Sequence, residues 1–365
     1  MTKPKTLLAC AFLTAAMPTL APAGHIVQHN LVSDLPGVAD SVDANLVNSW
    51  GITRGPHTPW WVADNGTGVS TLYNGAGVKL GLTVTIPPAS GAPAGATSAP
   101  TGTVFNPTSD FMVGGMPTLF LFVTEDGTIA AWGPSFSPIT MAVTARDNSR
   151  SGAIYKGMTL GVQGGANRLY AANFHAGTVE VYDGSFTPVT LSANAFMDPK
   201  VPSGFAPFNV QNIGGRIFVS FAEQKQPDRH DEQDGPGLGY VTVFDTSGNL
   251  IMRLQHGKWM NAPWGMTQAP SNFAQWSNRI LVGQFGSGEI ATFDDEGEFQ
   301  GLLRGPKGKP ISINGLWGLG FGNDGLAGPS NTLFFAAGLN DEADGLFGTL
   351  VPSKPGNEGD DDNDE

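Results

Sequence analysis

Residues 156–182 read KGMTLGVQGGANRLYAANFHAGTVEVY, and this stretch carries the pattern that decides the fold. It opens on a Lys-Gly-Met landmark, passes through an apolar run that ends at Ala172, and turns at Gly177. The segment Thr178–Tyr182 that follows is β-branched and alternates along its length, as a half-buried strand does. The stretch therefore predicts three consecutive strands, inner, middle and outer, with a glycine turn before the last.

The landmark of the inner strand recurs along the chain, most clearly as Trp-Gly-Ile. Successive copies of its second residue lie 51, 55, 52, 56 and 53 residues apart. These second residues are Gly51, Gly102, Gly157, Asn209, Gly265 and Gly318. Six all-strand units of about 53 residues predict an all-β chain folded as a six-bladed β-propeller.

A second landmark marks the outer strand, where a glycine is followed five residues later by a bulky side chain. The pairs are Gly68 with Tyr73, Gly127 with Trp132, Gly177 with Tyr182, Gly239 with Phe244, Gly288 with Phe293, and Gly345 with Leu350. The last unit runs out soon after Leu350. We therefore predict that an N-terminal strand over residues 26–32 completes this unit, closes the ring and protects its edges.

The composition excludes several classes of protein. Of 365 residues, 50 are Gly and 14% are charged, which favours short strands and turns over a helical bundle. The net charge is −13 with only 19 Lys and Arg, so the cationic surface that nucleic-acid binding requires is lacking. Attraction to anionic lipid is excluded on the same ground.

The first residues have the features of an export signal. Lys3 and Lys5 precede an apolar run over residues 7–16, and Ala21-Pro22-Ala23 has the small-x-small form of a cleavage site. We therefore predict a signal peptide over residues 1–23 and an exported protein, periplasmic or extracellular. The only cysteine, Cys10, lies in this segment, so the mature chain is expected to have no disulfide.

The remaining residues divide into two parts. Residues 24–352 are predicted to form the propeller, and residues 353–365 a disordered acidic tail. No run after the signal has the roughly 18 apolar residues of a membrane-spanning helix, so no transmembrane anchor is expected.

The repeat form resembles NHL-type propeller repeats, best in residues 170–183 (YAANFHAGTVEVYD) and 61–68 (WVADNGTG). The chain also resembles a family of uncharacterised bacterial secreted proteins, some of which end in a PEP-CTERM sorting tail. That resemblance lies in residues 30–40 (NLVSDLPGVAD), 45–52 (NLVNSWGI), 64–75 (DNGTGVSTLYNG) and 340–348 (NDEADGLFG). It implies the fold and export but no activity, and the acidic end of this chain departs from the sorting tail.

Sites in propellers lie where the inner strands converge on the axis. The residues that precede the inner landmark include three tryptophans and one lysine, namely Trp50, Trp264, Trp317 and Lys156. The tryptophans either pack between blades and plug the channel or form an aromatic platform for a flat or sugar-like ligand. Lys156 either binds a carboxylate or reaches solvent.

Polar residues at the ends of the middle strands form a second candidate set. Oxygen ligands that converge on one axis suit Ca²⁺ or another divalent metal. The metal candidates are Glu125, Asn173, His175, Glu223, Asn340 and Asp341. The alternative is that these residues are ordinary turn formers, some of them on the outer rim. The insertion at residues 228–234 (DRHDEQD) either clasps a cation or is a solvated loop, and we favour the loop.

Two functions remain open. The first is a secreted binding or scaffold module for an extracellular small molecule, polysaccharide or protein. The second is a metal-dependent hydrolase, lactonase or lyase that acts on a small molecule or polysaccharide at the propeller axis. Whether the chain is an enzyme is left undecided by the sequence.

Overall fold

The computed structural model describes residues 24–353. The predicted signal peptide and the acidic tail beyond Ser353 therefore lie outside the described residues. Within residues 24–353, no helix is long and apolar enough to cross a membrane.

The described chain forms six antiparallel sheets arranged as blades, as the repeat predicts. Blade one comprises β3 (Ser49–Thr53), β4 (Trp60–Asp64), β5 (Val69–Tyr73) and β6 (Lys79–Thr85). Blade two comprises β7 (Pro100–Phe105), β8 (Phe120–Thr124), β9 (Thr128–Trp132) and β10 (Val143–Asp147). Blade three comprises β11 (Tyr155–Gln163), β12 (Ala166–Asn173) and β13 (Thr178–Tyr182).

The second half of the ring repeats this order. Blade four comprises β14 (Phe205–Ile213), β15 (Arg216–Gln224), β17 (Tyr240–Phe244) and β18 (Leu250–Arg253), with the short β16 (Glu232–Gln233) also paired to β15. Blade five comprises β19 (Pro263–Gln268), β20 (Ile280–Gln284), β21 (Ile290–Phe293) and β22 (Phe299–Leu302). Blade six comprises β23 (Leu316–Phe321), β24 (Leu333–Gly338), β25 (Asp344–Pro352), β1 (Ile26–Ser33) and the two-residue β2 (Ser41–Val42). Short helical turns lie at Ser149–Ser151, Ala274–Trp276, Pro306–Gly308 and α1 (Leu339–Glu342).

The N-terminal strand closes the ring, which confirms the predicted closure. β1 pairs antiparallel with β25, from Ile26 opposite Pro352 to Ser33 opposite Leu346. Blade six is therefore built from both ends of the described chain, and the edge of β25 is covered rather than open to other chains.

The blades stack on one another through both faces of their middle strands. Successive side chains of a strand point to opposite faces, so Trp60 packs against Phe334 of blade six while Trp61 stacks on Phe120 of blade two. All five residues of β4 are buried. Each large apolar side chain buried in this way stabilises the fold by about 1.5–3 kcal/mol.

The inner strands meet too closely for side chains at the landmark glycines. A Cβ on Gly102 would lie 2.7 Å from the Met158 nitrogen, and a Cβ on Gly318 would lie 2.6 Å from the Trp50 oxygen. Asn209 is the exception, and its side chain bridges to the Trp264 carbonyl at 2.8 Å. Every inner strand also has an irregular register around its landmark. Such bulges re-aim side chains, here the side chain that precedes each landmark.

Candidate functional site

The three landmark tryptophans plug the channel. Trp50 stacks on Trp317 with ring centroids 3.7 Å apart, and Trp264 meets both rings edge-on at 5.8–5.9 Å. Trp50, Trp264 and Trp317 are 1%, 4% and 0% exposed. This is the packing alternative of the sequence analysis, because rings buried on one another offer no open platform to a ligand.

Lys156 is the one charged member of the landmark ring, and it is 1% exposed. Its Nζ contacts Glu125 Oε1 directly, lies 3.7 Å from Asp231 Oδ1, and sits 5.0 Å from the Trp50 ring centroid. Lys156 therefore binds a carboxylate of the protein itself and does not reach solvent. Burial alone lowers the pKa of the ammonium, but the nearby carboxylates, Glu125 foremost, outweigh burial and hold that pKa above its ordinary value. Lys156 is thus a fixed positive charge on the axis.

Two asparagines hold Glu125 in place. Asn65 Nδ2 donates to Glu125 Oε2 at 2.8 Å, and Asn48 Nδ2 donates to Asn65 Oδ1 at 3.2 Å. Asn48 Nδ2 also donates to Glu342 Oε2 at 2.7 Å, while its Oδ1 accepts from the Trp317 indole at 3.2 Å. This chain of hydrogen bonds links the buried tryptophans to Glu125 and Glu342 and fixes the orientation of both carboxylates.

The insertion of blade four is a solvated loop at six of its seven residues, as the favoured interpretation expects, and that interpretation is wrong for Glu232. β16 pairs back onto β15, with Glu232 opposite Gln224, and Glu232 is only 5% exposed. His230 Nδ1 lies 2.6 Å from Asp231 Oδ1 and 4.0 Å from Glu125 Oε1. The hydrogen bond from His230 lowers the pKa of Asp231 to about 2, and the same bond raises the pKa of His230.

Asp231 and Glu232 line a cavity at the start of the inner strands, with a volume of about 530 Å³. Its walls include Asp231, Glu232, Glu342 and Asp341, and Phe285 contributes an aromatic surface. Burial raises the pKa of Glu232 to about 7 and raises that of Glu342 above its ordinary value. The cup, defined by the residues that line this cavity and the Lys156–Glu125 pair beside it, is the candidate site.

The structure brings together only part of the predicted metal set. Glu125 and Asp341 belong to the cup, whereas Asn340 turns outward and donates to Asp344 Oδ2 at 2.8 Å. Asn173 donates to Glu180 at 2.8 Å. Its Oδ1 accepts from the Ala176 backbone N–H at 3.2 Å, so Asn173 has a turn-forming role within blade three.

The other two metal candidates also lie apart from the pair. His175 lies 3.1 Å from the Asp228 carbonyl and contacts the outer side of the insertion. Glu223 is the last but one residue of β15 and lies opposite Phe205 and Gln233. Among the described residues, the His, Cys, Asp and Glu side chains close enough to share an ion are Glu125, His230 and Asp231.

Sequence reasoning did not place several residues in or beside the cup. Asn48 stands two residues before the landmark Trp50, so the repeat itself offered a signal. Glu342 follows directly on Asn340 and Asp341, and the backbone at all three has positive φ, which no local pattern predicts. His230 and Glu232 reach the axis only because the insertion folds back on β15.

Six blades closed around a charged axial cup define a β-propeller with a site on its axis. No protein-family model matches the sequence. The chain is 30% identical to uncharacterized protein L690 of Acanthamoeba polyphaga mimivirus over 333 residues, which cover 88% of this chain and 84% of that protein. It is 29% identical to uncharacterized protein R648 of the same virus over 324 residues, which cover 88% and 78%. The chain therefore belongs to the same family as L690.

Solved structures share the architecture. Virginiamycin B lyase from Staphylococcus aureus matches with a TM-score of 0.52 at 12% identity, over 90% of this chain and 99% of that one. Aldose sugar dehydrogenase from Streptomyces coelicolor, in its PQQ-bound form, matches with 0.52 at 14%, over 92% and 100%. The calcium-binding protein regucalcin from Agrobacterium tumefaciens matches with 0.51 at 13%, over 91% and 96%. At such identities the likeness shows the fold alone.

These comparisons confirm the six-bladed propeller and support its NHL-like character. The two family members named here are viral, so they lend no support to a bacterial secreted family or to a sorting tail.

The axial lysine bears on the divalent ion expected from the sequence. An ion shared by Glu125, His230 and Asp231 would lie beside the Lys156 ammonium, which already contacts Glu125 and lies 3.7 Å from Asp231. Lys156 would repel such an ion, whereas the carboxylates of Glu125 and Asp231 would attract it. An ion at this place would therefore compete with Lys156 for Glu125.

Proposed function

We propose that the protein is a small-molecule-binding propeller whose ligand occupies the axial cup. The observation that carries this proposal is the buried Lys156–Glu125 pair beside an open cavity of about 530 Å³. A buried ion pair is often no more stabilising than apolar side chains of the same volume. Four of the other five side chains at the equivalent positions are the aromatic groups Trp50, Phe208, Trp264 and Trp317. Packing alone therefore does not explain the charge at Lys156, which holds Glu125 and faces Asp231 beside the cavity.

The shape of the site favours a small molecule over a protein partner. A cavity of about 530 Å³ lies within the range of small-molecule sites, roughly 300–1,000 Å³, and it is concave. A single sugar unit of a polysaccharide would also fit this volume. With the sequence-predicted signal peptide, we propose that the protein is exported and meets its ligand outside the cytoplasm.

Ligand-detected NMR with a library of small polar compounds tests the binding proposal. Asp234→Trp places a large side chain on the wall of the cup without touching the plug. Glu298→Trp makes the same change at an exposed turn of blade five and serves as the control. We expect compounds that bind the unmodified protein and the Glu298 variant but not the Asp234 variant. Compounds that bind all three proteins equally, or none, would refute a ligand site in the cup.

A second candidate, acid–base catalysis without a metal, has one specific observation in its favour. Glu232, with a pKa of about 7, and Asp231, with a pKa of about 2, line the same cavity. Carboxyl groups whose environments separate their pKa values in this way can serve as acid and base. In a hydrolase or lyase of this kind, the substitution Glu232→Gln would strongly lower kcat. The pH profile would also lose the inflection near 7, whereas Glu298→Gln would leave both unchanged.

A further inference from the structure

The carboxyl group of Glu232 receives no hydrogen bond from another residue among residues 24–353, and only the residue's own backbone N–H donates to it. The residue is 5% exposed, and it lines the cup. A buried carboxyl group with too few donors is costly to the folded state. A ligand that brings an N–H or O–H group into the cup would remove this cost.

The charges around the cavity determine which ligand charge it favours. Five carboxyl groups line the cavity, namely those of Asp231, Glu232, Asp234, Asp341 and Glu342. Among the described residues that line it, the one cationic side chain is the exposed Lys225. Lys156 does not offset them fully, because its ammonium is already in contact with Glu125. The potential inside the cavity is therefore negative and attracts a cation.

An aromatic ring completes the site. Phe285 is half-buried, lines the cavity, and stacks on Trp317 with ring centroids 4.1 Å apart and planes 24° apart. A ring fixed in this way presents an electron-rich face, to which an organic cation is attracted in addition to its contact with carboxylates. A hydrated metal ion would gain much less from such a surface.

We propose that the ligand of the cup is a small organic amine, bound as its ammonium through N–H donation to Glu232 and Glu342 and contact with Phe285. This inference rests on the proposed function, because it names the chemical class of ligand for the same cavity. Glu342 has an oxygen available for this contact, since only its Oε2 accepts from Asn48.

Calorimetric titration with two matched pairs of probes tests the inference. Glucosamine and glucose share a shape and differ in charge, as do benzylamine and benzyl alcohol. At pH 7.5 we expect each amine to bind the protein at least tenfold more tightly than its neutral partner, as expected for a desolvated charge contact. Glu232→Gln should reduce that preference to less than about threefold, whereas Glu298→Gln should keep it. Glu342→Gln provides a second test if the Glu232 variant does not fold.

The outcomes separate this inference from the proposed function. If neutral probes bind as tightly as the amines and Asp234→Trp blocks them, the cup is a ligand site but the amine assignment is wrong. If neither amine binds the protein, or if the preference survives both Gln substitutions, the inference is overturned. A failure of the library screen to find any compound blocked by Asp234→Trp would overturn the proposed function as well.

Discussion

Replacing Lys156 by Met tests whether the axial ion pair is what the structure indicates. Met keeps most of the apolar stem but removes the ammonium, so Glu125, with a side chain 12% exposed, is left buried without its cation. Breaking a buried pair in this way costs about 3–5 kcal/mol. At about 2 °C per kcal/mol for a chain of this size, Tm should fall by roughly 6–10 °C.

The double variant Lys156→Met/Glu125→Gln separates the loss of the pair from the loss of packing. It removes both charges, so it should recover most of the stability that Lys156→Met loses, with a coupling free energy of about 2–3 kcal/mol. Arg279→Met is the control, because its pair with Asp294 is 4.0 Å long, its side chains are 33% and 19% exposed, and it should contribute about 1 kcal/mol or less. Equilibrium urea unfolding measures the unmodified protein, Lys156→Met, Glu125→Gln, the double variant and the control variant. Additive losses from the two axial substitutions would refute the account of the pair.

Three further predictions follow from the same geometry. Burial raises the pKa of Glu232 to about 7, so the stability that its protonated carboxyl contributes is present below about pH 4.5. This contribution, about 3 kcal/mol, is lost as pH rises to about 7. Glu232→Gln should flatten this part of the pH dependence of Tm, and an unchanged profile would contradict the burial of the carboxyl. Gly102→Ala should lower the free energy of unfolding by about 1–3 kcal/mol, because the added Cβ would meet the Met158 backbone. Gly81→Ala should be nearly neutral, because the space around Gly81 is open. Equal effects of the two substitutions would argue against the close approach of the inner strands. Deletion of residues 26–33 should uncover the edge of β25 and cause concentration-dependent association in light scattering, and a monomeric, equally stable product would show that β1 does not close the ring.

The fold could be predicted from the sequence because each blade repeats the same steric demand. Six inner strands can approach one another only where the side chain is missing or folds back, as at Gly102 and Asn209, and this leaves a periodic mark. The closing strand could be inferred because the last unit runs out soon after Leu350. Its observed bounds, Ile26–Ser33, extend one residue beyond the prediction.

The site was only partly predictable, because its charges come from non-local contacts. Glu125 follows a middle strand and Lys156 precedes a landmark, so local pattern pointed to both residues. Their direct contact depends on the packing of blade two against blade three. Glu232 reaches the axis through the pairing of β16 with β15, inside an insertion whose composition alone favours solvent.

The crystal structure of the protein soaked with benzylamine tests the central claim most directly. The account predicts Lys156 Nζ against Glu125 and the amine inside the cup, with its nitrogen within hydrogen-bond distance of Glu232 or Glu342. An axial metal ion that displaces Lys156 from Glu125, or benzylamine bound elsewhere with the cup filled only by solvent, would contradict it.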